Sequence, residues 1–205
     1  MKIAIDAGPL TSGHKVRGVG FYTKNLIEAL ADNVEVVDIQ TADLSKYDLI
    51  HIPYFNPFLL SFPENISDYK FVVTIHDLIP LIYPKQYPPG IRGKLNFLKQ
   101  KTILKKAKAI ITDSETSKKD IVRFLGVHKN RVHIIYLAPG KIFKKINNTS
   151  ILYSIEVKYK LPRKFVLYVG DINYNKNIPN LIKACKIAKV PLVIVGKQAL
   201  DIEEL

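Results

Sequence analysis

The sequence predicts an α/β chain: a doubly wound, Rossmann-like parallel sheet followed by the beginning of a second domain of the same kind. Three observations carry this expectation. Short apolar runs rich in Val and Ile alternate with helical segments, the pattern of parallel strands covered on both faces. The alternation stops at Pro139-Gly140 and the polar run KKINNTS, then starts again at Lys164. A length of 205 residues suffices for one good core, or for one domain and part of another.

Taken in order, strands are expected at 2–6, 34–40, 48–53, 70–76, 109–113 and 131–137. Helix 20–31 carries Phe21, Leu26, Ile27 and Leu30 at spacings that make one apolar face. Helix 91–108 is longer and very basic. Helix 114–125 opens on Ser114 as N-cap and stops at Gly126. Turn and composition signals set domain boundaries at 1–140, a linker at 141–163, and a second domain from 164 to 205. The second domain supplies strand 164–170, helix 178–189 and strand 190–196. One strand–helix–strand unit of about 30 residues cannot cover both faces of its sheet, so this domain is expected to be cut short.

Composition narrows the partners. Hydrophobic residues at 47% and charged residues at 24% give an ordinary globular balance and argue against disorder. A lone Cys185 excludes an internal disulfide framework and fits a reducing cytoplasm. No stretch approaches the ~20 apolar residues of a membrane span, and the first residues run into a strand without a cationic leader. The net charge of +13 favours an anionic partner. Its spread along the chain, without zinc-finger spacing, RNP-like aromatics or a basic tail, points away from nucleic acid.

Four segments are able to carry chemistry. In the stretch from Gly8 to Gly20, Gly18 and Gly20 let backbone approach a phosphate at a helix N-terminus, with Arg17 as charge partner; glycines that merely permit a turn explain them as well. A dinucleotide fingerprint fits poorly here. Thr23 stands where its third glycine belongs, and eleven residues separate Asp6 from Gly18, although Asp38 imitates the ribose-binding acid. His76 and Asp77 close a buried strand at the edge facing the crevice. His76 is placed to donate to a sugar hydroxyl and Asp77 to orient its ring or cap the next loop, against the plainer reading of a His satisfied by backbone. His51 ends another strand, but no metal spacing accompanies it.

The basic helix sets Lys94, Lys99, Lys101, Lys105, Lys106 and Lys108 among Ile91, Leu95, Leu98, Ile103 and Leu104. Such a helix suits an anionic membrane surface; the favoured expectation is that its apolar stripe packs on the sheet. Finally, Tyr168-Val169-Gly170-Asp171 precedes Asn175-Lys176-Asn177, and Lys176 lies just before a helix, where its compact charge suits a phosphate or simply solvent.

Together these segments resemble glycosyltransferase family 4 of the GT-B type. The resemblance rests on Arg17-Gly18-Val19-Gly20-Phe21-Tyr22, on Thr74-Ile75-His76-Asp77, and on Ile111-Thr112-Asp113-Ser114 running through Lys118, Asp120 and Ile121. It closes with Tyr168-Val169-Gly170, Lys176-Asn177 and Leu181-Ile182-Lys183-Ala184. It implies a nucleotide diphosphate sugar as donor, transfer with retention, no required cofactor or metal, and a glycan or lipid-linked acceptor. The lone Cys185 sets the expectation of a cytoplasmic setting, with peripheral membrane contact through helix 91–108 as the less favoured option. Gly18, Gly20, Arg17, Gly170 and Lys176 would then serve the donor, and His76 with Asp77 the transferred sugar. Asp171 and Asn175 stand where relatives carry Arg, and the family's E-x7-E pair would fall beyond Leu205. The 205 residues alone are therefore expected to be nearly inactive. Two other classes fit less well: a non-catalytic sugar-, anion- or subunit-binding module, and a nicotinamide-dependent oxidoreductase.

Overall fold

A computed structural model describes residues 1–196; the tail of the expected second domain, 197–205, lies outside the described residues. The chain divides into two compact units, Met1–Gly140 and Lys141–Leu205.

The first unit is built on six parallel strands, β1 (Ile3–Asp6), β2 (Glu35–Val37), β3 (Leu49–Ile52), β4 (Phe71–Thr74), β5 (Ala109–Thr112) and β6 (Val132–Ile134). Their order is β2-β1-β3-β4-β5-β6. The sheet is thus wound outward in both directions from β1 and β3, an order that, with the right-handed crossovers general to parallel strands, distributes the connecting helices over both faces. Those connections are α1 (Gly8–Thr11) and α2 (Gly18–Leu30), then α3 (Ile79–Ile82) and α4 (Gly90–Leu104), then α5 (Glu115–Asp120). The strand runs lack polar–apolar alternation because both faces are covered, and Ile5, Ile50, Ile52, Phe71, Val73 and Ile110 are almost wholly buried. Each such side chain contributes about 1.5–3 kcal/mol by leaving water.

Local chemistry sets the helix ends. The Ser114 hydroxyl accepts the Ser117 N–H at 3.1 Å and caps α5, which runs on as a π-turn over Ile121–Leu125. Gly126 ends it at φ 67°, the left-handed conformation that glycine adopts without strain. Two amphipathic expectations change. On α2, Phe21 is exposed, while Tyr22 and Thr23 turn inward. On α4, Ile91, Leu95 and Leu98 face solvent; Phe97, Ile103 and Leu104 do the packing, so the stripe expected to cover the sheet is in fact two separate sides of the helix.

The second unit holds α6 (Thr149–Tyr159), β7 (Val166–Val169), α7 (Ile178–Ala188) and β8 (Leu192–Val195), with β7 and β8 paired in parallel. A small core of Ile172, Ile178 and Ile182 lies against Tyr168, Leu181, Leu192 and Ile194. Helix α6 occupies sequence read as linker. Asn148 caps it by accepting the Ser150 and Ile151 N–H groups, and none of its residues is buried, which is why no apolar face announced it.

Candidate functional site

A sheet that winds outward from β1 and β3 leaves a crevice beyond their carboxyl ends, where ligands of doubly wound folds bind. A cavity of about 230 Å³ lies there, lined by residues that follow β1, β2 and β3, among them Asp6, His14, Asp38, Tyr54, Asn56 and Ser61. Burial raises the Asp6 carboxyl, opposed by N–H bonds from Gly8 (3.1 Å) and Ile39 (3.4 Å) and helped by the Asp38 charge. Burial likewise raises the Tyr54 hydroxyl and lowers His14, whose ring meets Tyr54 at 4.4 Å. Carboxylates, a phenol and an amide in one small cleft suit hydroxyl groups better than phosphate.

Further along the same edge stands His76. Its Nδ1 lies 2.6 Å from Asp113 Oδ2, and its Nε2 donates to the Pro53 carbonyl at 3.2 Å. A carbonyl only accepts, so Nε2 carries a proton; the short Nδ1 contact then requires a second proton, on the ring or on Asp113. Asp113 Oδ1 is buried without a partner among the described residues. Tyr22 packs edge-on against the His76 ring, centroids 4.7 Å apart, and its hydroxyl meets Thr74 Oγ1 at 3.2 Å. Thr74 also holds His51 Nε2 at 2.8 Å, and burial, with the His76 charge adding, pushes His51 down to about 4. Ser117 at the start of α5 donates to the His76 carbonyl at 2.8 Å.

The expected residues separate into three groups. His76 sits at the crevice edge, satisfied by backbone as the plainer reading had it and by a carboxylate besides. Asp77 takes the capping role, accepting the Ile79 N–H at 3.0 Å; the carboxylate that orients His76 is Asp113. Gly18 and Gly20 lie in the first turn of α2 with Arg17 as its N-cap. Open space surrounds Gly18, whereas a Cβ on Gly20 would run into the His14 and Lys15 carbonyl oxygens. Gly20 therefore admits the 12–17 loop onto the helix, and Gly18 alone leaves room for a ligand to approach. Gly170 and Lys176 belong to the second unit. Gly170 has φ 148°, which a side chain rarely adopts, and Lys176 is exposed just before α7.

Asp113 carries the orienting role that the sequence analysis gives to Asp77 beside its capping role. The signal was present: β4 and β5 pair in register with Thr74 opposite Ile111, and two residues further that register sets His76 opposite Asp113. His51, weighed only as a metal ligand, is instead a buried partner of Thr74. Among the described residues, no three His, Cys, Asp or Glu side chains gather as a metal site would require.

Residues 38–138 match the sequence model of Glycosyltransferase Family 4. The serotype-specific mannosyltransferase WbdA of Escherichia coli is 26% identical over 161 residues, which are 76% of this chain and 20% of WbdA. A second Escherichia coli WbdA sequence is 26% identical over 153 residues, 72% of this chain and 19% of that one. The chain thus spans about a fifth of the length of the curated relatives it matches. The crystal structure of Anabaena Alr3699/HepE in complex with UDP-glucose shares the fold at a TM-score of 0.52 and 15% identity, over 97% of this chain and 70% of that one. With the match spanning β3 to β6 and the crevice residues between them, the chain is a glycosyltransferase family 4-like protein.

Proposed function

We propose that the chain serves a retaining glycosyltransferase, which moves a sugar from a nucleotide diphosphate sugar to a glycan or lipid-linked acceptor. The observation that carries this reading is the contact of Tyr22 with His76. It joins the Gly18 turn and the histidine edge, distant in sequence, into one surface, with the polar cleft at the β1/β3 crevice of the same edge. The likeness to a mannosyltransferase and to a fold seen with UDP-glucose supports sugar transfer over the other classes.

In this reading the donor diphosphate lies over Gly18 and Arg17, where the first N–H groups of α2 and the helix dipole favour negative charge. Gly20 shapes that turn. His76, held by Asp113, faces the transferred sugar, and exposed Asp77 completes the polar rim. The acceptor hydroxyl attacks the anomeric carbon while its bond to the diphosphate breaks. The electron pair leaves with the nucleotide, and the hydroxyl proton passes to the departing phosphate. Lys176 and Gly170 belong to a donor-binding second domain that begins after the 141–163 segment, where Lys176 neutralises the leaving charge. No metal or cofactor takes part. We place the reaction in the cytoplasm at the membrane face, with helix 91–108 as the peripheral contact.

Saturation-transfer NMR with UDP-glucose, GDP-mannose and NAD tests the reading on the chain itself. A sugar nucleotide should give saturable signals that Gly18→Val weakens at least tenfold. Preferential binding of NAD, or of none of the three, would overturn it.

A further inference from the structure

Helix α4 borders a second cavity, opposite in character to the polar cleft. It is an apolar groove of about 350 Å³ walled by Phe58, Pro80, Leu81, Pro84, Pro89 and Phe97, with Lys94 and Leu98 at its lip. The two cavities share the 56–61 segment, which turns Asn56 and Ser61 to the cleft and Phe58 to the groove. That shared wall is fixed from α4. Fully buried Gln100 accepts the Ser61 N–H at 2.6 Å and donates to the Asn56 and Pro57 carbonyls at 2.9 and 3.2 Å, while Asn96 donates to the Phe58 carbonyl at 3.0 Å.

The outer side of α4 continues the apolar character. Ile91, Leu95 and Leu98 recur at helical spacing and are 84%, 63% and 61% exposed, although other residues of the same helix pack the core. Along this segment of the chain the charge is of one sign. Between Asp77 and Asp113 the chain carries Lys85, Arg92, Lys94, Lys99, Lys101, Lys105, Lys106 and Lys108 and no acidic residue. Lys99 pairs with Glu64 at 3.1 Å, and Lys94 stands exposed at the groove's lip. An apolar stripe with cations on both sides is the arrangement that lies on an anionic lipid surface.

We infer that the groove holds the hydrocarbon chain of a lipid-phosphate acceptor drawn from an anionic bilayer. Its sugar hydroxyls occupy the neighbouring cleft, and its phosphate sits at Lys94. The phosphate is kept from the cleft by Asp6 and Asp38. The assignment rests on the proposed acceptor role of that cleft and selects a lipid-linked acceptor over a free glycan.

The chain contains no tryptophan, so Leu98→Trp sets a single indole at the lip, excited selectively beyond the absorption of the 11 tyrosines. Dodecyl phosphate below its micellar concentration, butyl phosphate and inorganic phosphate are titrated against this variant. Dodecyl phosphate should give a saturable blue shift with half-saturation at least tenfold below that of butyl phosphate, the gain expected from burying about two methylenes. Adding Lys94→Glu, a surface change, should weaken dodecyl phosphate about fivefold by removing the phosphate's partner. Equal responses to all three phosphates would show an anion site alone and overturn the assignment, as would the lack of any saturable shift. Binding of UDP-glucose and GDP-mannose on the same preparation separates the two readings. Sugar-nucleotide binding without chain-length dependence sinks the groove alone, and chain-length dependence without sugar-nucleotide binding sinks glycosyl transfer alone.

Discussion

At the scale of single residues, one carboxylate of two serves His76. Asp113 touches its ring and Asp77 does not. Asp113→Asn should therefore move the His76 ring ¹⁵N shifts, and Asp77→Asn should leave them in place; the opposite pattern would restore Asp77 as the orienting group. Asp113→Ala should also cost about 1.5–3 kcal/mol in urea unfolding, the worth of a hydrogen bond to a charged group in a half-buried setting. His51 makes a second, independent test. Its folded value near 4 lies below the ordinary 6.5, so the unfolded chain binds the extra proton first as pH falls. Stability is complete above about pH 6.5 and declines toward pH 4, by about 3 kcal/mol at most. Unfolding midpoints at pH 7 and pH 5 should show that slope, and His51→Gln should flatten it. The sequence placed His76 and Asp77 at the right edge because strand ends of parallel sheets face the crevice. It did not assign the Asp113 contact, since that depends on register between two strands and not on neighbourhood along the chain.

At the scale of elements, α2 and α4 show why amphipathic spacing was only partly informative. Apolar residues at helical intervals announced both helices. Spacing alone does not say which side meets the sheet, so Phe21, Ile91, Leu95 and Leu98 were read as core and stand exposed. Polar Gln100, by contrast, is fully buried because it has three backbone partners. Gln100→Leu takes the partner from the Ser61 N–H and the Pro57 carbonyl, leaves the Asn56 carbonyl only the Ser61 hydroxyl at 3.4 Å, and should cost about 3 kcal/mol, with the 56–61 loop losing hydrogen-exchange protection first. The two glycines of α2 should separate in the same way. Gly20→Ala drives a methyl into the His14 and Lys15 carbonyls and should cost about 1–3 kcal/mol, whereas Gly18→Ala, in open space, should change the urea midpoint little. Equal costs at the two positions would contradict the division of labour between them.

At the scale of the molecule, the eight strands among the described residues and their parallel pairing followed from apolar runs and from the break after Leu137, because a covered sheet leaves few other arrangements for such segments. Helix α6 was not legible, having no buried residue to set a periodicity. The central claim is sugar transfer at the crevice edge where Tyr22, His76 and Asp113 meet. Its most direct test is a transfer assay on the protein isolated from the cells that make it, with radiolabelled UDP- and GDP-sugars and lipid or glycan acceptors, wild type beside His76→Ala. The account predicts a labelled product whose anomeric configuration matches the donor, formed at least about a hundredfold more slowly by the variant, the scale set by one transition-state contact. An undiminished rate in His76→Ala, or a product of inverted configuration, would contradict it.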